Sequence, residues 1–331
     1  MKILFIDSAH PSLKIELEKN AFICEEDFHS SKEEIEKKIS QYDGIILRSR
    51  INIDRKLIDA FILPKGKGKG GASLFIARVG AGMEHIDVAY SESKGIKCLN
   101  SSEGNSNAVA EHALGMLLSL FNNICKANYE VKNGQWIREE NRGTELAGKT
   151  IGIYGYGNTG SAFAQVLRGF DVKILAYDKY KKISPSPALP EGKGGISEPT
   201  PIEIFEEADV VSLHLPLTEE TKGMVQDTFI NKFRKNIYLI NTSRGQIVKT
   251  DDLVKSLKSG KVLGACLDVL EYEETSFEMM SPSPRGQEET FDFLKSSSKV
   301  ILTPHIAGWS FESREKMARI LAEKIITLTS K

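Results

Sequence analysis

The chain has 331 residues, 44 Lys plus Arg against 45 Asp plus Glu, and a 40% hydrophobic fraction. That length suggests two or three domains, and the net charge of -1 argues against a nucleic-acid binder that works by phosphate neutralisation. The composition excludes wholesale disorder, and the sequence has no run of 18 apolar residues to span a membrane.

The opening MKILFIDSAH lacks the long apolar region and cleavage site of a signal peptide and reads as a first strand. Further β-like runs follow at 44–49, 74–79 and 95–100, with helical stretches at 11–20, 31–41 and 54–61. Such alternation predicts an α/β layer fold with a mostly parallel sheet. Residues 107–131 read as one long helix whose middle, HALGMLLSLF, is apolar almost all round, as in a domain seam or subunit interface. A second α/β series then supplies strands at 150–154, 172–177, 210–215, 237–241, 262–269 and 300–303, the size of a dinucleotide-binding sheet. The tail, 310–330, carries Met317, Ile320, Leu321 and Ile325 at helical spacing and is expected to pack back on the first series. Segments 63–72, 181–201 and 281–290, rich in Gly, Pro, Ser and charge, read as solvated insertions. Cys24, Cys98, Cys125 and Cys266 form no CxxC pair, so neither a metal site nor a disulfide framework is expected, and the compartment reads as cytoplasmic.

The strongest motif is Gly155-Tyr156-Gly157-Asn158-Thr159-Gly160. It follows a strand and opens a helix. Gly155 permits the turn, Gly157 lets backbone approach a pyrophosphate, and Gly160 lets helix meet strand. The helix N-terminus offers N–H groups to the phosphates. Asp178, 23 residues after Gly155, ends the next strand; a carboxylate there accepts ribose hydroxyls and repels a 2′-phosphate, which selects NAD over NADP. The literal P-loop match at 143–150 has its strand on the wrong side and is rejected.

Polar residues gather at the carboxyl ends of the second series. They are His214 and Pro216, then Thr242, Ser243 and Arg244, then Asp268 with Glu271, Glu273 and Glu274, and finally His305. Ligands of open α/β sheets bind at those ends. An arginine can fork a carboxylate, a histidine can move a proton, and a carboxylate can hold that imidazole. With a hydride carrier, the set suits a 2-hydroxy acid/2-keto acid couple.

These segments resemble the D-isomer-specific 2-hydroxyacid dehydrogenases, which include phosphoglycerate and lactate dehydrogenases and glyoxylate/hydroxypyruvate reductases. The resemblance rests on ARVGAGMEHID, NAVAEHALGMLL, ELAGKTIGIYGYGNTG, ADVVSLHLPLTEET, NTSRGQIV, GACLDVLEYE and TPHIAGW, in that order between residues 44 and 310. It implies two doubly wound parallel-sheet domains, with a Rossmann NAD-binding domain (102–305) inserted into a flavodoxin-like substrate domain (1–101 plus 306–331). It implies Arg244 as the substrate-binding arginine, His305 as general acid/base, Glu273 as its partner and Asp268 at the nicotinamide carboxamide. The backbone of Val79, Gly80 and Ala81 is implied to hold the substrate carboxylate, and a homodimer through the long helix is implied. Met83-Glu84-His85 departs from the commoner family residues, with Glu84 keeping the charge.

Arg48 and Arg50 flank Ser49 in a strand of the substrate domain, and paired guanidiniums suit a phosphate. The length leaves no room for an additional C-terminal regulatory domain. The first expectation is therefore oxidation of 3-phosphoglycerate. The second is reduction of hydroxypyruvate or glyoxylate. A rival of another class is an NAD(H)-responsive, corepressor-like interaction protein on the same fold. The expected partner is a small anionic 2-hydroxy or 2-keto acid, with no nucleic acid or membrane partner.

Overall fold

A computed structural model describes residues 1–62, 74–183, 196–197, 200–273 and 288–330, and divides them into two compact units. The first unit is built from Met1–Asn105 together with the stretch from Trp309 onward; the second is the chain between.

The first unit runs β1 (Lys2–Phe5), α1 (Pro11–Lys19), β2 (Ile23–Glu26), α2 (Lys32–Lys38), β3 (Gly44–Leu47), α3 (Arg55–Ile62), β4 (Phe75–Arg78), α4 (Val88–Ser93) and β5 (Lys97–Leu99). Its five strands are parallel in the order β2-β1-β3-β4-β5, a flavodoxin-like order. β3 and β4 are buried along their whole length, as expected of inner parallel strands covered on both faces. β2 is an edge strand of sequence ICEE, and its acidic residues deny the open edge to another chain.

The second unit begins with α5 (Ser106–Phe121) and α6 (Ile124–Lys132). The single helix expected over 107–131 is therefore two, bent by 61° at the break. Asn123 takes the left-handed conformation (φ 53°), which Asn tolerates better than most residues, and Thr144 N–H caps the orphaned Phe121 carbonyl at 2.8 Å. α5 buries Val109, Ala113, Met116, Leu117 and Leu120, whereas α6 buries nothing within the chain. Among the described residues no single helix is long and apolar enough to cross a membrane.

The second sheet comprises β6 (Thr150–Tyr154), β7 (Lys173–Tyr177), β8 (Ile196–Ser197), β9 (Val210–Leu213), β10 (Ile237–Asn241), β11 (Val262–Leu267) and β12 (Val300–Leu302). Its helices are α7 (Asn158–Val166), α8 (Pro201–Glu207), α9 (Asp227–Ile230), α10 (Thr250–Ser259) and α11 (Glu288–Ser296). The order β12-β11-β10-β9-β6-β7-β8 is the dinucleotide-binding order with one strand added, so the sheet has seven strands where six were expected. The strand missed in the sequence is β8, third in the dinucleotide-binding order, whereas β12 is the one added at the far edge; β8 pairs with β7 from inside the stretch read as a solvated insertion, and Ile196 is buried. Segment 63–72 and most of 181–201 and 281–290 lie outside the described residues.

The chain closes with α12 (Phe311–Thr329), which returns to the first unit. It packs on α1 and beside β4 and β5, burying Met317, Leu321 and Ile325 at four-residue spacing.

Candidate active site

In the second unit, Gly155 turns at φ +90°, and a Cβ there would sit 2.3 Å from the His214 carbonyl. A Cβ on Gly160 would sit 2.0 Å from the Gly155 carbonyl, so helix α7 can approach the turn only as glycine. A Cβ on Gly157, by contrast, would meet nothing within 4 Å. Two glycines build the cradle, and the third leaves its mouth open. Asn158 and Thr159 begin α7 and present its N-terminus there.

Asp178 follows β7, and its carboxylate accepts from Tyr156 N–H at 2.8 Å, Tyr180 N–H at 2.9 Å and Lys181 N–H at 3.0 Å. It therefore ties the glycine turn to the next strand end. Thr242, after β10, is buried with an Oγ1 that has no partner among the described residues, a donor that a ligand could use. Ser243 is held on Asn241 Oδ1 at 2.8 Å. These residues fit a dinucleotide: an open glycine mouth, a helix N-terminus, a carboxylate beyond β7 and an unspent hydroxyl.

His214 has a different place. Its imidazole is enclosed, 2.9 Å from Ser212 Oγ and packed on Phe163, and burial holds its pKa at about 3. It stays neutral, and its carbonyl forms part of the glycine cradle. The carbonyl of Pro216 accepts from Thr221 Oγ1 at 2.6 Å.

His305 follows β12 in a left-handed backbone (φ 54°), a strained state for a residue with a Cβ. Three bonds from Asp268 hold it. The Asp268 carbonyl accepts His305 N–H at 2.8 Å, and its carboxylate accepts Ile306 N–H at 2.9 Å and Ala307 N–H at 2.8 Å. His305 Nδ1 lies 2.7 Å from Glu273 Oε2, with the two side chains 24% and 15% exposed. A carboxylate only accepts, so Nδ1 carries the proton.

Glu273 also accepts from Leu270 N–H. Glu271 is not solvated: its Oε2 accepts Thr250 N–H and Oγ1, each at 2.9 Å, and caps α10. Glu274 lies outside the described residues. Arg244 lies in the loop after β10, its guanidinium donating to the Ser243 carbonyl at 2.6 Å. A Cβ on Gly245 would collide with the Leu270 carbonyl at 1.8 Å, so this glycine lets the arginine loop lie against the glutamate loop.

In the first unit, the Asp7 carboxylate accepts the N–H groups of Arg48 at 2.6 Å, Ser49 at 3.0 Å and Arg50 at 3.2 Å. The Arg50 guanidinium donates to the carbonyls of Ile6 at 2.8 Å, Ser30 at 2.7 Å and Asp27 at 3.0 Å. All three of its nitrogens therefore serve the scaffold. Arg48 stacks 4.4 Å over the Trp309 indole.

The Val79-Gly80-Ala81 loop is also partly spent. Val79 N–H donates to the Leu47 carbonyl at 2.9 Å and Gly80 N–H to Ser101 Oγ at 3.1 Å, which leaves Ala81 N–H. Buried Arg78, passed over in the sequence, donates to the carbonyls of Arg48 at 2.9 Å and Gly82 at 2.6 Å and clamps both loops. Nothing in the local sequence marks Arg78 as scaffold.

Residues 114–307 match the model of the D-isomer specific 2-hydroxyacid dehydrogenase NAD-binding domain. The chain belongs to the D-isomer specific 2-hydroxyacid dehydrogenase family. As a member it is an oxidoreductase with an NAD-binding domain, and 2-hydroxy and 2-keto acids are its substrate class. It is 33% identical over 297 residues to a hydroxypyruvate reductase of Thermotoga maritima, covering 90% of this chain and 88% of that one. It is 34% identical to a D-3-phosphoglycerate dehydrogenase of Synechocystis sp., covering 89% of this chain and 48% of that one. A solved D-lactate dehydrogenase of Aquifex aeolicus, complexed with NAD and lactic acid, is similar at TM-score 0.76 and 26% identity, covering 98% of this chain and 94% of that one.

Proposed function

We propose that this family member reduces a short, unphosphorylated 2-keto acid of the hydroxypyruvate or glyoxylate kind with NADH, and runs the reverse oxidation. The observation that carries the choice is Arg50, whose Nε, Nη1 and Nη2 each donate to a backbone carbonyl, so the scaffold engages the guanidinium at all three nitrogens. The similarity to a hydroxypyruvate reductase over nearly the full length of both chains supports the same reading. A second reading, oxidation of 3-phosphoglycerate, is favoured by half-buried Arg48 on its Trp309 platform.

In this mechanism Arg244 forks the substrate carboxylate and polarises the adjacent carbonyl. Ala81 N–H, with its neighbours Val79 and Gly80 setting the loop, adds a donor to the carboxylate. NAD(H), when bound, supplies or accepts the hydride. His305 Nε2 gives its proton to the carbonyl oxygen in reduction and takes it back in oxidation. Glu273 fixes the Nδ1–H tautomer and offsets the charge of the imidazolium. Asp268 would serve the nicotinamide carboxamide, Asp178 the ribose hydroxyls, and the Gly155, Gly157 and Gly160 turn with the α7 N-terminus the pyrophosphate. Thr242, Ser243, Tyr156 and Pro216 line the remainder of the cofactor.

We also propose a homodimer through α5 and α6, since Ile124, Tyr129 and Val131 of α6 are half or more exposed. The function is tested by NADH oxidation with glyoxylate, hydroxypyruvate, phosphohydroxypyruvate and pyruvate. Preference for hydroxypyruvate or glyoxylate is expected; strong preference for the phosphorylated acid would move the assignment to the second reading.

A further inference from the structure

His112 belongs to none of the chemistry above. It projects from α5 with 22% of its side chain exposed. Its Nε2 lies 3.0 Å from Thr303 Oγ1 and 3.6 Å from Asp268 Oδ1, and Thr303 Oγ1 lies 2.6 Å from Asp268 Oδ1.

The direction of this chain of bonds follows from what each group can give. Asp268 receives the N–H groups of Ile306 and Ala307, which only donate, so its carboxylate is an acceptor on both oxygens. Thr303 has one hydroxyl proton and spends it on Asp268. Its lone pairs then accept from His112, which fixes the Nε2–H tautomer. Oδ1 is thereby held from two sides, by Thr303 and by Ile306 N–H, while Oδ2 has one backbone donor. A carboxylate is 1% exposed here and cannot recruit bulk water to replace a lost donor.

We infer that His112 is a positioning residue: through Thr303 it orients the Asp268 carboxylate toward the nicotinamide side of the cofactor. The inference rests on the reading of Asp268 given under the proposed function. A histidine that merely filled space on α5 would need no donor at Nε2, and Thr303 would need no partner beyond Asp268.

The test uses the full chain without cofactor, titrated with NADH and followed by fluorescence. His112→Leu and Thr303→Val are each expected to weaken NADH binding about 3–10-fold, the worth of one network hydrogen bond. The double variant is expected to fall short of the product of the two single effects, because both disturb the same chain of bonds to Asp268. His112→Gln, whose amide N–H reaches where Nε2–H does, is expected to restore affinity to within about twofold. The KM for keto acid at saturating NADH stays unchanged. Thr303→Ser, which keeps the hydroxyl, is expected to bind like the parent and carries the test should His112→Leu fail to fold. Unchanged NADH affinity in His112→Leu beside weakened binding in Asp268→Asn overturns the inference. Unchanged affinity in Asp268→Asn as well overturns the reading of Asp268 itself, and the inference falls with it.

Discussion

Asp268 holds His305 through backbone and side chain at once: its carbonyl takes the His305 N–H at 2.8 Å while its carboxylate takes the next two amides. The left-handed His305 backbone persists because these bonds over-determine it. Asp268→Asn turns one acceptor into a donor facing an N–H. A loss of about 1–3 kcal/mol of stability is expected from denaturant unfolding. Turnover should fall more steeply than stability, because the imidazole loses its fixed orientation.

Arg50 and Arg48 can be told apart by substitution. Arg50→Ala removes three bonds to carbonyls from a charged donor, worth about 1.5–3 kcal/mol for a strongly held group. A lower Tm with kcat/KM unchanged in the folded fraction is expected. Arg48→Ala should leave Tm nearly unchanged and raise KM for the keto acid, read by steady-state kinetics at saturating NADH.

Coenzyme choice tests Asp178. Replacing its charge by the neutral Asn keeps an acceptor for the Tyr156 amide but lifts the repulsion toward a 2′-phosphate. Lys181 Nζ, 3.3 Å from the Tyr156 carbonyl, is near enough to the turn to favour that phosphate. The ratio of kcat/KM for NADPH over NADH should rise about tenfold or more, since like-charge juxtaposition costs several kcal/mol.

His214 predicts a pH dependence of stability. Burial holds its folded pKa at about 3, against an ordinary 6.5. Between these values the unfolded chain binds a proton that the folded chain does not, so stability falls as pH drops through that window. The slope is at most about 1.4 kcal/mol per pH unit. Chemical denaturation at pH 7, 6, 5 and 4 should find this slope reduced in His214→Phe.

The sequence carried the inner strands and the glycine turn because each rests on a local signal. Buried parallel strands are continuous apolar runs such as TIGIY, and the three glycines stand at a spacing only one turn uses. The edge strands β2 and β8 had no such signal: ICEE is acidic, and Ile196–Ser197 is two residues long and held mainly by its neighbour. The break at Asn123 was hidden by apolar residues on both sides. In the site, the pairing of Glu273 with His305 was implied by the family resemblance, and the two meet at 2.7 Å. The roles of Asp7, Arg50, Arg78 and His112 were not, because each acts on a loop far away in sequence. Arg50 reaches carbonyls 20 to 44 positions off, and His112 meets a threonine 191 positions on.

We propose His305 as the proton-exchanging group of an NAD-dependent 2-keto acid reductase. Its most direct test is His305→Ala, measured for NADH-dependent reduction of hydroxypyruvate and for NADH affinity on the same preparation. A fall in kcat of about 100-fold or more with NADH affinity nearly unchanged is expected, as for loss of a general acid. Turnover at the parent rate, with NADH still bound, would contradict the account.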